Sequence, residues 1–539
     1  MLKDIVLFVI LMVEDIVMRI RVILCSCFCV SVIISNISFL CFKKIHSGSF
    51  STIPNDTNVN DQWAIQKVEL DKAWDIYTGS SDVRVGIIDA GICASHDDLS
   101  PNVDTTLGAH FGSYNINHLV DSGGHGTHVA GIVGAKGNNN LGVSGACWDV
   151  DLVSLSVAGA MGSYYFPGLN DAIQYASNSN TYIPIMNASF GGTTSFINNE
   201  GFNVMEIISS FNTLMPNYSG LLVCSPGNDS VNIGSFTNYI FPASYSQPNM
   251  IIVGNSDDDD LKHISSNYSS TKVDLFASGT DIYSTFPSNG YSSQTGTSMS
   301  SPLVAGTAAL LKSIDPTLST SDLKSAILNN VDVVSGLCNY CSTSGRLNAY
   351  KAALSILPEI VQNDSPISFV SSVNYQKFMK MNCGQGHYSL SVNMDSPYRV
   401  TIYKKYTGTP LVQHTFTNGG LGTINFVSLI NQLVFIRIEN LGVSDCNASV
   451  DLDFEAHSYF DHYSYHNASY HKSYCSCGSY VLMPHVVQVS EPLSAYGTCV
   501  VCSAVVPINS NFSIPFEPDE DIIEMYKALN IHFIQSFVS

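Results

Sequence analysis

Three side chains in this sequence are of the types that together activate a hydroxyl nucleophile: a carboxylate, an imidazole and a serine, at Asp89, His125 and Ser298. Each stands in its own block. Val85-Gly86-Ile87-Ile88-Asp89-Ala90-Gly91-Ile92 is an apolar run ending in a carboxylate and a Gly turn. An Asp in such a place can accept a hydrogen bond from an imidazole, although strand-Asp-Gly is also an ordinary turn. In His125-Gly126-Thr127-His128-Val129-Ala130-Gly131, small residues let a helix begin tightly against a neighbouring layer, with His125 at its mouth. A lone His is more often structural than catalytic, and the His125/His128 pair lacks the Glu of an H-E-x-x-H zinc site. Gly296-Thr297-Ser298-Met299-Ser300-Ser301-Pro302 is a Gly-led loop entering an apolar helix. Ser298 would sit beside free N–H groups and a positive dipole end, which favour a developing oxyanion. Pro302 is expected in the first turn, where its missing N–H costs little. Taken alone, the block also fits a Ser-rich helix cap.

Such groups need a scaffold. Short apolar runs at 83–88, 152–157, 183–186, 221–224 and 251–253 read as buried strands. They alternate with helical patterns at 129–135, 302–314, 323–328 and 349–357. Strands alternating with helices imply a mostly parallel sheet covered on both faces, with ligands and catalytic groups at the C-terminal strand ends. Residues 358–366 read as a linker, bounded by prolines. Beyond it, short alternating runs at 388–392, 398–403 and 434–438 predict a β-sandwich-like domain over 367–455. Residues 456–539 form a Cys/His-rich region with a C-terminal amphipathic helix.

The 539 residues suffice for two or three domains. Lys plus Arg number 23 against 44 Asp plus Glu, a net charge of −21 that excludes the basic footprint of a nucleic-acid binder. Residues 22–42 carry no charge and follow Arg19 and Arg21, which suits an export signal within 1–46. The run is also long enough to anchor the chain in a membrane uncleaved.

The order Asp, His, Ser, with HGTHVAG and GTSMSSP around the last two, resembles the subtilisin (subtilase) family of serine peptidases, over roughly residues 54–356. The resemblance implies a subtilisin-like peptidase domain over 53–356. It implies a secreted serine endopeptidase acting on protein or peptide substrates through an acyl-enzyme, expected to be a monomer. Asp89, His125 and Ser298 would be its triad. Asn228, in Cys224-Ser225-Pro226-Gly227-Asn228, matches the oxyanion Asn. Ser189-Phe190-Gly191-Gly192 matches the segment that pairs with extended substrate. Ile240, before Phe241-Pro242, falls at the base of the S1 pocket and implies small or medium apolar P1 side chains. Asp56, Asp98, Asn139, Leu141 and Val143 match a structural calcium site, Leu141 and Val143 through their carbonyls.

A separate cluster, Cys475, Cys477, Cys499 and Cys502, with His471 and His485 nearby, has ligand types for a structural zinc. Two disulfides in an exported domain are the competing reading.

Overall fold

The computed structural model describes residues 52–456, except 114–115, 160–162, 362–364, 374, 385, 407 and 429–431, plus the backbone of short strands between 462 and 507. Nine strands make the central sheet: β1 (Gly79–Asp89), β2 (Val103–His110), β3 (Asp149–Ser156), β4 (Ile185–Ala188), β5 (Leu221–Cys224), β6 (Met250–Ser256), β7 (Leu275–Ser278), β8 (Asp332–Val333) and β9 (Gly345–Arg346). Their order is β8-β9-β7-β6-β5-β4-β1-β3-β2. Every pairing is parallel except β8 with β9 at one edge.

The uninterrupted apolar runs follow from burial on both faces. Val85 and Ile87 of β1, Leu221 and Val223 of β5, and Ile251 and Val253 of β6 enter one core cluster. Their alternates Ile88, Leu222, Cys224 and Ile252 enter the other. With side chains alternating at period two, both faces must be apolar. Two helices bear on the site: α1 (His125–Gly134) and α2 (Thr297–Ile314). Nearly all of α2 is buried, as expected of a helix apolar almost all round.

Residues 367–456 form two antiparallel four-stranded sheets. Met379, Leu390, Val392, Val400, Ile436 and Val450 fill the space between them. One sheet is buried on its other face too, because Phe378, Tyr403 and Phe435 join the core cluster of the α/β sheet. The Tyr403 hydroxyl donates to the Ile76 carbonyl at 2.8 Å, and Tyr406 N–H donates to Asp75 O at 2.8 Å. The expected linker is also partly structural: Ile360 is buried in the sandwich core, and Glu359 bridges to Lys380.

Candidate active site

The strand ends bring the expected chemistry together. β1 lies between β3 and β4, so the chain leaves it toward both sides of the sheet, and a crevice opens at such a switch point. Asp89 ends β1 with no solvent exposure. The neighbouring residues Ile88 and Ala188 are register partners, which sets Ser189 beside Asp89. Asn228 lies four residues beyond the end of β5, the next strand over.

His125 opens α1, and its Nδ1 lies 3.0 and 2.9 Å from the two Asp89 carboxylate oxygens. Helix and strand approach this closely because residue 126 is glycine: a Cβ there would stand 2.1 Å from the Gly91 carbonyl and 3.1 Å from Asp89. Burial pulls the His125 imidazole down, but the Asp89 charge and hydrogen bond, with the Asp121 charge, leave it above its ordinary 6.5.

Asp121, which the motif reading passed over, organises this helix start. Its Oδ1 accepts from Gly123 and Gly124 N–H at 3.1 and 2.8 Å, and its Oδ2 from Thr127 N–H and Oγ1 at 2.8 Å each. A carboxylate at a helix N-terminus satisfies orphan donors and complements the dipole. An Asp four residues before the helix is the sequence signal that could have found it. His128 is structural. Its Nε2–H donates to Ser292 O at 2.9 Å, and burial brings its pKa down to about 4.

Ser298 sits in the first turn of α2, where Oγ donates to the Ser189 carbonyl at 2.9 Å. Pro302 lies in the second turn, not the first as expected. With no N–H, it cannot bond the carbonyl four residues back, that of Ser298. Ser189 Oγ supplies the donor instead, at 2.9 Å, and also contacts Ser301 Oγ at 2.9 Å. The Ser189 hydroxyl therefore clamps the start of α2 to the end of β4. Asn228 Oδ1 accepts from Thr297 N–H at 2.9 Å, which aims its amide at the same turn.

Gly192 and Thr193 pair antiparallel with Ile240 and Phe241. A Cβ on Gly191 would stand 2.9 Å from Phe241 O and 3.1 Å from Ile240 Cγ2, so only glycine fits without displacement. Ile240 is 2% exposed, and its side chain joins the second core cluster. Phe190 stacks on Tyr164, ring centroids 4.8 Å apart. Tyr164 was also missed by motif reading: its hydroxyl donates to Asp89 Oδ1 at 3.1 Å and lies 3.2 Å from His125 Nδ1.

Of the expected calcium ligands, Asp56, Asp98 and Asn139 are joined by hydrogen bonds. Asp56 and Asp98 are 3% and 0% exposed. Asp56 accepts from Asn138 and Asn139 N–H at 2.7 and 3.4 Å; Asp98 accepts from Val143 N–H at 2.9 Å, Asn139 Nδ2 at 2.8 Å and Tyr291 Oη at 3.3 Å. Asn138 and Asn140 hold φ of 59° and 64°, the left-handed region that asparagine tolerates, which explains the Asn-rich loop. Burial pushes both carboxyls up, Asp98 to about 6 with the Asp56 charge adding to it. Two buried carboxylates sharing a site without a Lys or Arg partner among the described residues suit a hard, oxygen-seeking cation. No group of three or more His, Cys, Asp or Glu able to hold a metal occurs among the described residues. Cys475, Cys477, Cys502 and His485 lie outside them; Cys499 ends the strand Tyr496–Cys499. The segment 22–42 also lies outside, and no described helix is long and apolar enough to cross a membrane.

Comparison with known proteins bears on this geometry. Thermitase of Thermoactinomyces vulgaris is 35% identical over 56% of this chain and 98% of its own length. A thermophilic serine proteinase of Bacillus sp. (strain AK1) is 35% identical over 56% of this chain and 69% of its own. Subtilisin DY of Bacillus licheniformis is 34% identical over 49% of this chain and 89% of its own. The α/β part, with its parallel sheet, is thus that of a serine-type endopeptidase, whose substrates are proteins or peptides. Residues 80–354 match the model of the Subtilase family, and the chain belongs to that family.

Proposed function

We propose that Asp89, His125 and Ser298 are the catalytic triad of an exported endopeptidase. The observation that carries this is the Asp89–His125 hydrogen-bonded pair beside a strand end to which Ser298 Oγ is itself bonded. Ser298 Oγ leaves the Ser189 carbonyl by rotation of its side chain and passes its proton to His125 Nε2 as it attacks the substrate carbonyl carbon. Catalytic hydrogen bonds commonly tighten only once substrate is bound. Asp89 fixes the imidazole tautomer and stabilises the imidazolium. His125 then protonates the leaving amine, and water hydrolyses the acyl-enzyme by the same route. The carbonyl oxygen turns negative beside the Ser298 N–H and the Asn228 Nδ2, whose amide is already oriented by Thr297.

Extended substrate would pair along 189–192, with Ile240 limiting the P1 side chain to small or medium apolar groups. Asp56, Asp98, Asn139 and the Leu141 and Val143 carbonyls would hold a calcium ion, whose charge would offset the two buried carboxylates. Export is supported by the apolar run 22–42 after two arginines. In this enzyme a peptidase domain would span 53–356 and a β-sandwich-like domain 367–455. The test is cleavage of unfolded casein by wild type and by Ser298→Ala, with phenylmethylsulfonyl fluoride as a serine-directed inhibitor. Activity that vanishes in both the variant and the inhibited enzyme is expected; equal activity in the folded variant would overturn the triad.

A further inference from the structure

Asp89 is fully buried, so each lone pair facing protein needs a donor. Its Oδ1 takes the Ala90 N–H at 2.8 Å and shares the His125 Nδ1–H at 3.0 Å; its Oδ2 takes that same N–H at 2.9 Å. Residue 90 is alanine and brings no side-chain donor to the neighbouring carboxylate. Among the described residues the only hydroxyl bonded to Asp89 is that of Tyr164, at 3.1 Å.

Tyr164 is built to reach this place. It follows β3, where Gly159 N–H donates to Ser163 O at 2.7 Å and Tyr165 N–H to Val157 O at 2.8 Å. Ala158 and Tyr164 form an antiparallel bridge. The Tyr164 ring lies nearly parallel to Phe190, 8° between planes, and edge-on to His125, centroids 6.4 Å apart. Ring and hydroxyl are thus held by different partners: Phe190 stacks on the ring, and Asp89 accepts the hydrogen bond of the hydroxyl.

We propose that Tyr164 is a positioning residue for the Asp89–His125 pair, its hydroxyl acting as the fixed donor that holds the carboxylate in line with Nδ1. The inference rests on the triad reading above. The physical consequence has a sign. An O–H aimed at Asp89 stabilises the carboxylate most when His125 is neutral and the negative charge is uncompensated. It therefore favours the neutral imidazole, the form that accepts the serine proton. Removing it lets His125 hold its proton to higher pH. The other groups facing His125 are Asp121, from the loop before α1, and His128, one turn further along α1 and bonded to Ser292. A hydroxyl-only deletion leaves both in place.

The experiment uses the full chain carrying Tyr164→Phe, which keeps the stacked ring, and Tyr164→Ala, which does not. Two rates are followed from about pH 5 to about pH 9: kcat/KM on a peptide amide, and inactivation by phenylmethylsulfonyl fluoride, which reports His125-assisted Ser298 without substrate binding. Tyr164→Phe is expected to lower kcat about tenfold, because the carboxylate loses the donor that holds it in line with Nδ1 and small misplacements of reacting groups are costly. KM should stay within about twofold, and the acid limb of both profiles should move up by about half a unit. Tyr164→Ala should show the same limb shift and a further rise in KM as Phe190 loses its stacked partner. A Tyr164→Phe enzyme with wild-type kcat and wild-type limbs overturns the proposal. So does a lowered kcat with unmoved limbs, which would make Tyr164 a packing residue. If wild type itself resists the inhibitor, the triad reading fails, and this inference falls with it by a visibly different result.

Discussion

Replacing Tyr403 tests whether the β-sandwich is an appendage or part of the core that positions the catalytic strands. Tyr403 is 2% exposed, contacts Phe435 with ring centroids 5.9 Å apart, and donates to Ile76 O at 2.8 Å. Tyr403→Phe removes only that hydrogen bond and leaves a buried carbonyl unpaired, a loss of about 1–3 kcal/mol. Tyr403→Ala also deletes an aromatic ring from a close-packed core, about 3–5 kcal/mol more. The sum, about 4–8 kcal/mol, is a large part of the ~5–15 kcal/mol that holds ordinary domains folded. All three tryptophans, Trp63, Trp74 and Trp148, belong to the α/β part, so their fluorescence reports that part alone. Urea unfolding would be followed by this signal in a Ser298→Ala background, which prevents self-digestion. The tryptophan transition should move to lower urea by a modest step for Tyr403→Phe and a large one for Tyr403→Ala. Should Tyr403→Ala leave the tryptophan midpoint where it was while calorimetry resolves an early sandwich transition, the shared-core argument is refuted.

Other outcomes follow from the site. Asn228→Ala should lower kcat by about 10²–10³ with little change in KM, if its amide is the proposed oxyanion donor; steady-state kinetics on a peptide amide check this. A calcium chelator should lower the melting temperature of the Ser298→Ala protein and added calcium should restore it, a stabilisation of about 2.7 kcal/mol when free calcium is about 100 times Kd. Asp98→Asn should remove most of that calcium response. Ile240→Gly should raise kcat/KM for Phe at P1 relative to Ala at P1, at a stability loss of a few kcal/mol from the emptied core position; paired peptide substrates and a thermal melt read both effects.

The sequence by itself determined a great deal because its signals are local. Apolar runs such as 221–224 are strands buried on both faces, and the observed β5 has those limits. The three motif blocks single out Asp89, His125 and Ser298 as the proposed triad, since the glycines that permit close approach stand next to the groups they would serve. The turn character of the Asn-rich loop 137–143 was legible for a similar reason, as asparagine and glycine mark left-handed backbone.

Tertiary structure alone decided the rest, wherever partners lie far apart in sequence or a group's role depends on a vacancy elsewhere. Pro302 was expected to spare an orphan donor in a first turn; one turn deeper, it frees the Ser298 carbonyl, which Ser189 then binds across 109 positions of chain. Tyr164 lies 75 positions from Asp89 and carries no motif, so only the loop after β3 brings its hydroxyl to the carboxylate. The sandwich strands alternate as sequence reading expects, yet alternation cannot tell which outward residues meet water. Phe378, Tyr403 and Phe435 meet the α/β core instead, because hydrophobic burial has no direction until two surfaces are brought together.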